Sequence, residues 1–60
     1  MKKIKIGDLV EVPAPQQDDI WNYSFAGTVR YLKKGIATVI DQNDDAFDIE
    51  VERLEIIDSF

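Results

Sequence analysis

Six side chains between Trp21 and Phe47 have the types and spacing to hold a cationic or apolar ligand. Trp21, Tyr23, Tyr31 and Phe47 are large rings, and Asp44 and Asp45 stand just ahead of Phe47. A cation over the face of such a ring gains about 0.5–2 kcal/mol from its quadrupole, and a neighbouring carboxylate adds a full charge. The set is a candidate surface for a peptide or protein segment, above all a basic one. Trp21, Tyr23 and Phe25 alternate, so an extended chain would turn all three to one side. Two readings stay open for these rings: they cap the open end of a small core, or they form a partly exposed platform. Tyr and Trp combine a large apolar body with one polar atom, so both can hold together.

A second constellation is basic. Arg30, Lys33 and Lys34 flank Tyr31, a combination that suits a nucleic-acid backbone with one ring to stack on a base. Lys2, Lys3 and Lys5 form another basic run at the start of the chain. The alternative function is therefore an accessory protein that contacts nucleic acid within a DNA- or RNA-handling assembly. The net charge of −5 opposes this, because non-specific binding depends on neutralising phosphates. The same lysines also read as a solvated turn.

Catalysis and metal binding find little support. The chain holds no histidine and no cysteine, so the commonest bases, nucleophiles and zinc ligands are missing. Ser24, Thr28, Thr38 and Ser59 have no activating base at a recognisable spacing. Asp41, Asn43, Asp45 and Glu52 fall at the first, third, fifth and twelfth positions of a calcium loop. Ala46, however, occupies the sixth position, where that loop needs glycine, and Phe47-Asp48-Ile49-Glu50-Val51 alternates like a strand. An Asx-rich hairpin turn is the better reading. No enzyme activity, metal or cofactor is expected.

The elements that must position these residues are short strands. Lys5 to Asp8 reads as a turn into Leu9–Val12, which Pro13 stops. Residues 13–20 form a polar loop with two prolines. Ser24–Leu32 is a second strand, with Phe25, Gly27, Val29 and Tyr31 on one side and Ala26, Thr28, Arg30 and Leu32 on the other. Gly27 within it marks a bulge or a sharp bend. Lys33-Lys34-Gly35 is a hairpin turn with a positive φ at Gly35. Ile36–Ile40 is a third strand, the acid-rich 41–45 segment a turn, and Ala46–Val51 a fourth strand. Glu52–Leu54 reads as a single helical turn before a last strand, Glu55–Ile57. The expected core is Val10, Val12, Val29, Ala37, Val39, Ile49, Leu54 and Ile56.

The motifs G-D-x-V-x-V (Gly7, Asp8, Val10, Val12) and F-x-G-x-V (Phe25, Gly27, Val29), followed by a hairpin glycine, V-x-D, an acidic turn and a closing E-R-L, resemble the Tudor and Agenet group of Src-homology-3-like barrels. The likeness is to small stand-alone bacterial members of that type and covers nearly the whole chain. It implies an all-β, five-stranded, partly open barrel. In Tudor-type domains an aromatic cage at one end of the barrel takes a methylated Lys or Arg. Trp21, Tyr23, Tyr31 and Phe47 stand at the cage-like positions, with Asp44 or Asp45 as polar partner. The loop holding Trp21 is longer and more polar than the usual Tudor connection. Methyl-lysine reading belongs mainly to eukaryotic chromatin and is not carried over.

Size and composition agree with a small soluble module. Sixty residues make one domain, residues 1–60, and 45% are hydrophobic, an ordinary share for a globular chain. The basic start resembles a signal-peptide n-region, but Gly7-Asp8 follows at once and no apolar segment develops. No stretch approaches the length of a membrane span. A cytoplasmic, bacterial-type protein is expected, monomeric or weakly self-associating through an open sheet edge.

Overall fold

A computed structural model describes residues 3–58; Lys2 and Ser59 lie outside the described residues. Five antiparallel strands form one sheet: β1 (Leu9–Val12), β2 (Phe25–Lys33), β3 (Ile36–Ile40), β4 (Ala46–Glu50) and β5 (Glu55–Asp58). Their order is β4-β3-β2-β1-β5, so β4 and β5 are the free edges and the sheet does not close. A 3-10 turn, Val51–Arg53, leads into β5. The all-β class, the five strands and the helical turn agree with the sequence expectation. Strand ends differ by one residue: β2 runs to Lys33, β4 stops at Glu50, the turn begins at Val51, and β5 reaches Asp58.

β2 organises the sheet. Its first half pairs with β1, from Val12↔Phe25 to Leu9↔Thr28. Its second half pairs with β3, from Thr28↔Ile40 to Lys33↔Ile36. Gly27 sits beside this hand-over, and its pairing with Val10 is regular. A Cβ at Gly27 would lie 2.6 Å from the Ile40 carbonyl oxygen and 2.6 Å from Val39 Cγ1. The glycine therefore permits a close strand approach and is not the bulge.

The bulge lies further on. The register against β3 shifts between Val29 and Tyr31, leaving Arg30 as the extra residue. An extra residue flips every later side chain to the opposite face. Val29 stays on the inner face, opposite Val39, and Leu32 pairs with Ala37 while remaining 37% exposed. Tyr31 is turned outward, opposite Thr38, and is 61% exposed. The expected alternation that placed Tyr31 with Val29 is corrected here.

The turns supply the remaining constraints. Lys34 and Gly35 have φ of 51° and 80°, and this two-residue loop with both φ positive matches the right-handed twist of the flanking strands. Gly7, with φ 98°, bends the chain into β1. The Lys5 amide donates to the Asp8 carboxylate at 2.9 Å, and the Gly7 and Asp8 backbone bracket Val29, with Gly7 N to Val29 O at 2.8 Å and Val29 N to Asp8 O at 3.0 Å. Asp8 is fully buried.

The core contains Val10, Val12, Val29, Ala37, Val39, Ile49 and Leu54, as expected, together with Trp21. Each such aliphatic side chain gains about 1.5–3 kcal/mol from burial. Ile56 is the exception. It lies opposite Val10, but on the edge strand β5, and stays 38% exposed. Among the described residues no helix is long and apolar enough to cross a membrane.

Replacing Gly27 with Ala should cost about 2–3 kcal/mol, because the added methyl meets backbone and a packed valine. Gly35→Ala should cost about 1–2 kcal/mol, from φ alone. Urea denaturation midpoints compare the two; an unchanged midpoint for Gly27→Ala would disprove the close strand approach.

Candidate functional site

The longest irregular segment, residues 13–24, is fastened by its tryptophan. Trp21 is only 6% exposed and belongs to the core. Its indole N–H donates to the Pro13 carbonyl at 2.9 Å, so the polar atom of the ring is satisfied as the apolar body is buried. Arg53 from the 3-10 turn stands 5.2 Å over the same ring. It also donates two hydrogen bonds to Asp19, Nη1 to Oδ1 at 3.1 Å and Nη2 to Oδ2 at 2.7 Å. The planar fork suits a carboxylate in this bidentate way. Asp19 further accepts the Gln16 amide at 2.7 Å. Trp21, Asp19 and Arg53 thus form one latch between the loop and the far end of the chain.

Beside the latch lies an open cleft of about 470 Å³. One side comes from residues 20–26, with Ile20, Trp21, Tyr23 and Phe25. The other comes from the 41–45 turn and Phe47 of β4. Phe47 packs edge-on to Trp21, centroids 6.3 Å apart, and tilted against Phe25 at 5.2 Å. These spacings are those of favourable aromatic pairs. Tyr23 is 75% exposed, so its ring is presented to solvent beside this packed trio.

The acidic side is built by the turn itself. Asp41 Oδ1 accepts the amides of Asn43 and Asp45, each at 2.9 Å, an Asx turn. The backbone closes with Asp44 N to Asp41 O at 3.1 Å and Asp41 N to Asp45 O at 3.0 Å. Asp44 takes a positive φ of 65° at the tip and does not line the cleft; Asp41 and Asp45 do. Two carboxylates and no Lys or Arg line this surface. Among the described residues no three carboxylates are grouped to hold a metal ion.

The structure therefore brings together Trp21, Tyr23, Phe47 and Asp45 from the expected set, but neither Tyr31 nor Asp44. Tyr31 lies on the outer face of the sheet, placed there by the bulge at Arg30. The rings at 21, 23 and 25 do not share one strand face, because residues 21–24 are bent and β2 starts only at Phe25. Trp21 caps the core and lines the cleft, which joins the two readings left open for it. The six-residue set leaves out Phe25, which the alternation groups with Trp21 and Tyr23, and Asp41, which is assigned to the turn; both line the cleft. Sequence reasoning also missed the Asp19–Arg53 pair, whose partners stand 34 positions apart. Tyr31 lines two depressions, one shared with Lys33 and Lys34 and the other with Arg30, Ile6 and Ile40.

Asp19 is held below its ordinary pKa, first by the hydrogen bonds from Arg53 and then by the Gln16 amide. Arg53 is raised in turn, chiefly by Asp19. A folded-state value below the unfolded one stabilises the fold above the ordinary aspartate pKa, about 4. That contribution is lost as pH falls through the lower, folded value. Asp19→Asn should be less stable than the parent at neutral pH, and its melting temperature should fall less steeply below about pH 4. Thermal melts across that range, followed by Trp21 fluorescence, test this; parallel pH profiles would remove the latch from the account of stability.

No protein-family model, curated protein or solved structure matches this chain.

Proposed function

We propose that this protein is a non-catalytic binding module that captures a basic peptide or protein segment in the cleft between residues 20–26 and the 41–45 turn. The observation that carries the reading is the lining of the cleft: four aromatic rings and two carboxylates, with no base. A Lys or Arg side chain laid there meets the exposed Tyr23 ring and a carboxylate at its charged end. The site is preorganised, which lowers the entropy cost of binding. Trp21 is locked by Pro13 and Arg53, and Asp45 is placed by the Asx turn.

The resemblance to Tudor and Agenet barrels supports the same place, since their ligand cage also uses rings at one end of a small barrel with an acid beside them. The reading includes a cytoplasmic, bacterial setting and a monomer or weak homo-oligomer.

Titration of isotope-labelled protein with a Lys/Arg-rich peptide should shift the amides of Tyr23, Asp41, Asp45 and Phe47. Tyr23→Ala and Asp45→Asn should each weaken binding about 2–10-fold, the range of one exposed cation–π or charge contact. Tyr23 is exposed enough that its removal leaves the core intact. If the peptide leaves these amides unmoved, or a Glu-rich control moves them equally, basic-segment capture is wrong.

A further inference from the structure

The sequence carries its bases in separate runs, and the fold regroups them. The N-terminal segment passes beside the β2–β3 hairpin, leaving a groove of about 500 Å³. Lys3 and Lys5 line it from the N-terminal segment and Lys33 and Lys34 from the hairpin, with Ile4, Leu32 and Val51 supplying apolar surface. No carboxylate lines this groove. Lys3, Lys33 and Lys34 form no ion pair among the described residues. The chain has twelve acids and seven bases, so acids abundant elsewhere are not placed against these three lysines.

The groove has an aromatic neighbour. Lys33 and Lys34 also line the adjoining depression that holds Tyr31, whose ring is exposed because the bulge at Arg30 turned it out of the core. Asp48 is the single carboxylate there, and its Oδ1 accepts the Thr38 hydroxyl at 2.7 Å. Across both depressions Asp48 is the single lining carboxylate.

We infer that this surface binds a single-stranded nucleic acid, its phosphates between Lys3 and the Lys33–Lys34 pair and one base stacked on Tyr31. Lysines that track a backbone, combined with an exposed ring, are the recurring means of holding single strands. An unpaired base is required, because a paired one has both faces covered by its neighbours. An acidic peptide would use the lysines and leave the ring without a role. Arg30, grouped with Lys33 and Lys34 by sequence, lines the other depression beside Tyr31, while Lys3 joins Lys33 and Lys34 at the groove. The net charge of −5 does not decide the matter: at physiological salt charges act over about 8 Å, so the local lysines set the field at the groove. The surface is separate from the aromatic–acidic cleft and does not depend on that proposal.

Fluorescence anisotropy with the full chain and a labelled oligothymidylate of about ten nucleotides tests the inference. Affinity should fall with salt at a log–log slope of about −2, near −0.7 for each of Lys3, Lys33 and Lys34. Lys33→Gln with Lys34→Asn should lower the magnitude of that slope by about 1.4, and Lys3→Gln alone by about 0.7. Asn tolerates the positive φ at position 34, so the hairpin is kept. Tyr31→Ala should weaken binding about tenfold without changing the slope. Tyr23→Ala and Asp45→Asn should leave it unaltered, which separates this site from the cleft. The inference is overturned by no binding at low salt, by a slope indifferent to the lysine replacements, or by a Glu-rich peptide that displaces the oligonucleotide at equal charge concentration. The last outcome would assign the groove to an acidic protein partner.

Discussion

Everything in this fold depends on one strand serving two neighbours. β2 gives its first half to β1 and its second half to β3, and only the missing side chain at Gly27 lets β3 approach at the hand-over. A chain with no cysteine has no disulfide to hold such a sheet. Register must do that work. The inner row Val29, Val39 and Phe47 crosses three strands, and the row Leu32, Ala37 and Ile49 follows it. The second row exists because Arg30 is an extra residue. With a regular register Tyr31 would stand opposite the buried Ala37, in place of Leu32. The Gly7 and Asp8 hydrogen bonds to Val29 fasten the strand next to the irregular residue, where an unsupported bulge would otherwise leave backbone groups unpaired.

Trp21 joins the core to the cleft. A loop of twelve residues without regular structure has little reason to hold one conformation, since each ordered residue costs about 1–2 kcal/mol of backbone entropy. Here one buried ring, its indole hydrogen bond and the Asp19–Arg53 pair order the segment together. Arg53 comes from the 3-10 turn, which is itself tied back to the hairpin through Val51 N to Gly35 O at 3.0 Å. The loop, the turn and the hairpin are thereby mechanically linked. The aromatic cleft inherits this order, because Trp21 and Phe47 belong to it and to the packed interior at once.

Much of the fold was legible in the sequence because local signals and the global fold agree, as they do in foldable chains. β1 and β3 end where Pro13 and the Asx turn stop them, and Gly35 marks its turn. Seven of the eight expected core residues are buried, because period-two alternation maps directly onto one face. Ile56 fails for a topological reason: alternation gives the face but not whether a strand lies at an edge. Tyr31 fails because a bulge carries no signature when the extra residue is an ordinary arginine rather than a glycine in a left-handed conformation. The candidate site was half legible. Its ring types and its acids were visible, but which of them converge depends on contacts between distant segments. Asp19 with Arg53 and Trp21 with Phe47 are pairs that no local pattern reports.

Charge shows the same limit in another form. A net value is a sum over the whole surface, and here it conceals two concave surfaces of opposite sign: Asp41 and Asp45 line one, Lys3, Lys5, Lys33 and Lys34 the other. Screening at physiological salt restricts each set to its own surroundings. An approaching ligand therefore meets a local sign, while the excess of acids governs solubility and long-range approach. The segregation follows from the connectivity of the sheet. The β3–β4 turn carries the acids and the β2–β3 turn the bases, and successive turns of an antiparallel meander emerge at opposite ends of the strands. A fold of this kind separates unlike charges whenever its successive turns differ in sign. The five-stranded sheet thus turns a weakly patterned sequence into two distinct electrostatic surfaces, and it does so with nothing more than strand direction.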